Sequence, residues 1–169
     1  MKKTLIALAV LATSTAAFAS DGQVNFTGSI TDVSCTVDTG SVTQTVDLGK
    51  VSKTAFSAAG STAAAKQFTV KLTDCPATIT SAKVRFDGTQ VPGDNSVLAL
   101  TTAADQATNV GIQLSDDKNN VIKLFEDSAA YTLATGNNDL KFTARYYATA
   151  AAVTTGSANA VTNFTIIYP

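Results

Sequence analysis

Alternation of apolar and polar residues at a period of two runs through this chain and restricts its fold more than any other feature. Phe68, Val70 and Leu72 alternate with Gln67, Thr69, Lys71 and Thr73. Val84 and Phe86 alternate with Lys83 and Arg85, and Val110, Ile112 and Leu114 with Gly111 and Gln113. Leu140, Phe142, Ala144 and Tyr146 alternate with Lys141, Thr143 and Arg145. Successive strand side chains point to opposite faces, so each run reads as a half-buried strand. Turn clusters separate the runs: Asp38-Thr39-Gly40, Pro92-Gly93-Asp94-Asn95, Asp116 to Asn120, and Thr135 to Asp139. Short strands with regular turns predict an all-β antiparallel sandwich or barrel. The Ala-rich stretches Ala58 to Ala65 and Ala148 to Ala152 favour helix by propensity. Gly60 and the interspersed Ser and Thr break them, and they are expected as loops.

The first residues follow a different pattern. Met1-Lys2-Lys3 is basic, Leu5 to Ala12 is apolar, and Ala17-Phe18-Ala19 fits a small-x-small cleavage site. This is a secretory signal peptide, expected over 1–19, with the mature chain starting at Ser20. Its apolar run falls short of the roughly 20 residues that span a bilayer. Loss of Lys2 and Lys3 leaves 10 basic against 13 acidic residues, a net charge of −3. That balance lacks the basic footprint of a nucleic-acid binder. Cys35 and Cys75 are the only cysteines, and in an exported chain such a pair is expected as a disulfide. The chain has no His, which removes Ser-His-Asp and Cys-His catalysis and the usual zinc ligand. No catalytic residue, metal site, cofactor or small-molecule substrate is assigned.

The ends carry the functional signal. Gly22, Val24, Phe26, Gly28 and Ile30 alternate with polar Gln23, Asn25, Thr27, Ser29 and Thr31. By pattern alone this is either the domain's own first strand or a strand intended for another chain. Phe164, Ile166 and Tyr168 alternate with Asn163, Thr165 and Ile167 just before Pro169. An apolar strand there is expected inside a sheet, since terminal residues otherwise fray.

Specific segments carry a resemblance. Phe26-Thr27-Gly28-Ser29-Ile30, then Cys35-Thr36-Val37-Asp38, is similar to the amino-terminal arm and first cysteine of type 1-like pilus subunits of the chaperone–usher pathway. Asp74-Cys75-Pro76, Asn109 to Leu114, Phe142 to Thr149, a penultimate Tyr168 and Gly156 fourteenth from the end resemble further family signatures. The resemblance implies an incomplete immunoglobulin-like antiparallel β-sandwich with a donor-strand extension over 20–31 and a pilin domain over 32–169. It implies that Val24, Phe26 and Ile30 enter a neighbouring subunit's groove, with Gly28 where no side chain fits. Gly156, Phe164, Ile166, Tyr168 and the Pro169 carboxylate would form the groove edge that a periplasmic chaperone contacts. The implied partners are other pilus subunits, that chaperone and an outer-membrane usher. The implied route runs through a Gram-negative periplasm to the cell-surface fimbria. A terminal Pro, lacking an N–H and with φ fixed, departs from the family pattern.

Other readings weigh less. Asp116-Asp117 and Glu126-Asp127 are candidate carboxylate pairs for glycoside hydrolysis, yet the first sits in a turn cluster where Asp serves turn chemistry. Asp116 to Asn120 lacks calcium-loop spacing. A minor adaptor or adhesin-like module at the pilus tip is the alternative, but tip adhesins of this family resemble two tandem domains.

Overall fold

The computed structural model describes residues 22–28, 30 and 34–168. They fall into an amino-terminal unit ending at Ile30 and a larger unit beginning at Thr31. The expected signal peptide and its cleavage site, Ser29, Thr31 and Pro169 lie outside the described residues.

In the larger unit the strands are β1 (Thr36–Val37), β2 (Thr62–Cys75), β3 (Ser81–Gly88), β4 (Gln90–Val91), β5 (Asp94–Leu98), β6 (Val110–Asp116), β7 (Val121–Ile122), β8 (Tyr131–Thr132), β9 (Gly136–Ala148) and β10 (Thr162–Ile167). One helical turn, α1 (Thr39–Val42), and one 3₁₀ turn (Lys53–Ala55) accompany them. The larger sheet runs β1-β2-β9-β6-β5-β4, with β7 also on β6, and the smaller runs β10-β3-β8. All ladder pairs are antiparallel.

The alternation explains the layers. Val70, Leu72, Leu114, Leu140 and Phe142 from the larger sheet meet Ala82, Val84 and Phe86 from the smaller in one buried cluster. Phe142 sits at its centre, with ring centroids 5.2 Å from Phe86, and 5.5 Å from both Phe68 and Tyr131. The Phe86 contact is edge-on, a favoured aromatic geometry. A second cluster of Phe56, Leu100, Ala107, Val110 and Ala148 lies beside the first. Cys35 and Cys75 form a disulfide between the segment before β1 and the end of β2.

Three expectations change. Asp38-Thr39-Gly40 is a helix start and not a simple turn, because Asp38 caps α1 by accepting the Gly40 N–H at 3.0 Å. Ala63 to Ala65 belong to strand β2 and not to a loop, since Thr62 and Ala63 pair with Tyr147 and Tyr146. Pairing with a long neighbour overrides alanine's intrinsic preference. The cluster Thr135 to Asp139 is strand from Gly136 onward, paired with Cys75, Leu72 and Lys71. The Asn138 side chain makes the turn there by bonding both Ala134 N–H and Ala134 C=O at 2.8 Å.

Candidate functional site: an unfilled strand position

β10 ends the smaller sheet. It pairs with β3 in unbroken register from Thr162↔Gly88 to Ile167↔Lys83, and no described strand pairs with its other edge. Phe164, Ile166 and Tyr168 turn inward and are half-buried against the main core. Their backbone therefore presents an open ladder above apolar side chains.

Facing it is a segment that has strand character but no partner. Val46 and Leu48 are half-buried against the same core while Thr45, Asp47 and Gly49 are exposed. Among the described residues, backbone–backbone hydrogen bonds reach Val42 and resume at Ser52, with none between. Only side chains serve this stretch: the Gln44 amide donates to Thr69 C=O, and Asp47 accepts the Gly49 N–H. It is a strand in side-chain pattern that lacks the neighbour needed to complete its ladder.

The two lips run in opposite directions. At one end the Tyr168 hydroxyl donates to the Cys35 carbonyl at 3.4 Å, and burial raises the Tyr168 pKa. At the other end a cavity of about 480 Å³ opens between Gly49, Lys50 and Val51 on one side and Val153 to Asn159 on the other. Phe56, Val110 and Tyr146 contribute apolar wall, and Lys50 and Lys53 also line it. Burial, then the charge of Asp47, raises the Tyr146 pKa, so its hydroxyl stays neutral.

Gly156 is fixed by this cavity wall. Ser157 N–H donates to Asp105 C=O, Ala107 N–H donates to Ser157 C=O, and the Ser157 hydroxyl bonds Asp105 Oδ1. A Cβ at Gly156 would collide with backbone atoms of Asp105, Gln106 and Ala107. Gly156→Ala is expected to cost about 1–3 kcal/mol, the usual range for overpacking. A thermal melt that matches the unsubstituted protein would refute this contact.

The amino-terminal unit has a different character. Residues 22–28 and 30 belong to no strand. Val24 and Phe26 are 77% and 92% exposed, and Ile30 is fully exposed. The alternation of this segment thus carries large apolar side chains that are exposed and not in a strand. Exposed large apolar residues at alternate positions signal a binding surface.

The carboxylate pairs have structural work. Burial pushes the Asp116 carboxyl upward, but bonds from Asn120 and the Lys118 N–H outweigh it and hold the pKa below its ordinary value. Asp127 binds Arg85 at 2.6 Å, and Glu126 accepts from the Asn95 amide. Among the described residues no group of three or more His, Cys, Asp or Glu could hold a metal.

The family model for fimbrial protein matches residues 24–169. The chain belongs to the fimbrial protein family. It is 41% identical to long polar fimbria protein A of Salmonella typhimurium, over 99% of this chain and 97% of that one. It is 42% identical to the type-1 fimbrial protein A chain of Escherichia coli, over 97% and 91%. Among solved structures it is similar to the P pilus rod subunit PapA, at 27% identity and a TM-score of 0.68, covering 80% of this chain and 99% of that one. The chain is thus a structural subunit of a surface fimbria, with an antiparallel immunoglobulin-like fold.

The lip Val46 to Leu48 and the cavity residues Phe56, Tyr146 and Val153 escaped sequence reasoning. The lip carried a usable signal, since Val46 and Leu48 flank Asp47 in strand alternation. The cavity carried none as a whole, because strand residues Val110 and Tyr146 meet there with residues of separated loops.

Proposed function

We propose that this subunit polymerises by donor-strand exchange, the amino-terminal arm of one copy filling the open groove of the next. The observation that carries this is the conjunction of exposed Val24, Phe26 and Ile30 at alternate positions with an open strand edge on β10 in the same chain. Addition of a strand to an open edge, of which pilin complementation is a known instance, draws affinity from backbone bonds and specificity from alternate side chains. Val24 to Ile30 spans about 20 Å at roughly 3.3 Å per residue, comparable to β10. Antiparallel to β10, the arm brings Ile30 to the cavity and Val24 toward Tyr168, with its polar residues facing water. Burial of Val24, Phe26 and Ile30 contributes about 5–9 kcal/mol, at roughly 1.5–3 each. Domains are typically stable by only about 5–15 kcal/mol, so the borrowed strand supplies a large share.

An unfilled groove beside an open edge is an aggregation hazard. This supports a periplasmic chaperone that occupies it before assembly, contacts Phe164, Ile166 and Tyr168 and anchors the Pro169 carboxylate, and an outer-membrane usher that follows. The same reading assigns 1–19 to a cleaved export signal, 20–31 to the arm and 32–169 to the pilin domain, with a structural and not a catalytic role.

Deletion of 20–30 from the mature chain tests it. The full chain should give heat-resistant ladders on denaturing gels. The deleted chain should give none, and should melt substantially higher once a peptide of residues 22–30 is added. Equal stability and a single-subunit state for both chains would overturn the reading.

A further inference from the structure

The domain has a second open edge, built differently from the first. β2 is paired with β9 on one side. On its other side β1 covers only Thr73 and Leu72. Further back, Asp38 N–H donates to Lys71 C=O, the Ser41 hydroxyl accepts the Lys71 N–H, and the Gln44 amide reaches Thr69 C=O. From Phe68 back to Thr62 no described strand pairs with that side. This stretch is as long as the open edge of β10, and its residues Thr62, Ala65, Lys66 and Gln67 are exposed.

Two features set it apart. The ladder jumps from Ala63↔Tyr146 to Lys66↔Ala144, so Ala64 and Ala65 oppose Arg145 alone. This bulge puts Ala64 at φ 53°, in the left-handed region, and a bulge bends and twists an edge away from regular pairing. Lys66 then stands opposite Ala144, which is itself paired with Leu114 in the core-facing row. Residues directly opposed share a face, so Lys66 is a charge on the core-facing side of an edge strand. It enters no ion pair among the described residues. An arriving strand would have to bury that ammonium without a partner, which is costly. β10 shows the reverse: no bulge interrupts Thr162 to Ile167, and no charged residue occurs from Thr162 to Tyr168.

We propose that the bulge at Ala64 and the ammonium of Lys66 guard the β2 edge against pairing with a second copy of this chain, and so confine strand addition to β10. The inference rests on the donor-strand reading, because it explains why β10 accepts a strand and the long β2 edge does not; β4 and β8, which also end sheets, are two residues each. A guarded second edge keeps a subunit to one acceptor site and the fibre unbranched. Inward-pointing charges and bulges are recognised means of blocking edge association.

The test uses the full mature chain with and without excess peptide of residues 22–30, followed by sedimentation velocity. With peptide, the unsubstituted chain and Lys66→Glu should remain single subunits. Lys66→Val should continue to associate, with at least tenfold more material in higher species and an unchanged native melt. Lys66→Val that stays as single as the unsubstituted chain would overturn the guard. So would association accompanied by loss of the native melt, because the unfolded chain would then be responsible. Failure of the peptide to hold the unsubstituted chain as single subunits would instead overturn the donor-strand reading, and the reserved edge with it.

Discussion

Gly28→Arg is expected to abolish fibre formation while leaving the subunit's own fold and export unchanged. The two halves of that expectation have separate causes. A Cβ placed at Gly28 meets no other atom within 4 Å, so the subunit carrying the substitution loses no contact of its own. Gly156 is the contrasting case, where backbone of the same chain closes over the α-carbon. On the donor-strand proposal, the demand for a small residue at position 28 comes from the groove that receives the arm. In the proposed register Gly28 lies between Phe26 and Ile30 on the inward face, next to half-buried Phe164 and Ile166. An arginine there brings a charge and a long side chain into an apolar groove, a cost of several kcal/mol when unpaired. That is comparable to the whole contribution of the arm. The variant should appear in the exported fraction with the melt of the unsubstituted single subunit and no ladder. Ladders of normal length would show that position 28 never enters a groove.

Much of this arrangement was legible in the sequence because a period of two assigns every side chain to a face. The core pairs Phe68↔Phe142 and Phe164↔Phe86 join inward positions of separately recognised runs. The carboxy-terminal alternation was also readable, and it is strand β10 on β3. What pattern could not distinguish was whether 22–30 pairs within its own sheet or with another chain, since both place Val24, Phe26 and Ile30 on one apolar face. The remainder was hidden for physical reasons. β1, β7 and β8 are two-residue pieces, too short to show a period. The lip at Val46 to Leu48 has the side chains of a strand without the ladder, since no described strand pairs with it. The cavity joins loops around Asp105 and Ser157, which are 52 positions apart and linked by a hydroxyl–carboxylate bond. No local pattern announces such a meeting.

Replacing both Cys35 and Cys75 with Ala should weaken the subunit most when its groove is empty. The bridge spans 40 residues of sequence, and closing a loop of that size contributes about 4 kcal/mol in the chain-entropy picture. Both cysteines are buried in the main core. Alanine is the better substitute, since a serine hydroxyl would be left there without a partner. The site also gives the bond a role in the groove. The Cys35 carbonyl accepts the Tyr168 hydroxyl, so the disulfide fixes the point where the two lips meet at the end away from the cavity. A chain lacking both its donor strand and this fastening loses two contributions of similar size from a domain that is stable by only about 5–15 kcal/mol. The expected result is a melt roughly 10–20 °C lower for the peptide-filled variant, by the usual conversion for a domain of this size. Without peptide, the variant should show no cooperative transition at all. Equal losses in the filled and empty states would mean that the disulfide stabilises the sandwich as a whole and has no particular hold on the groove.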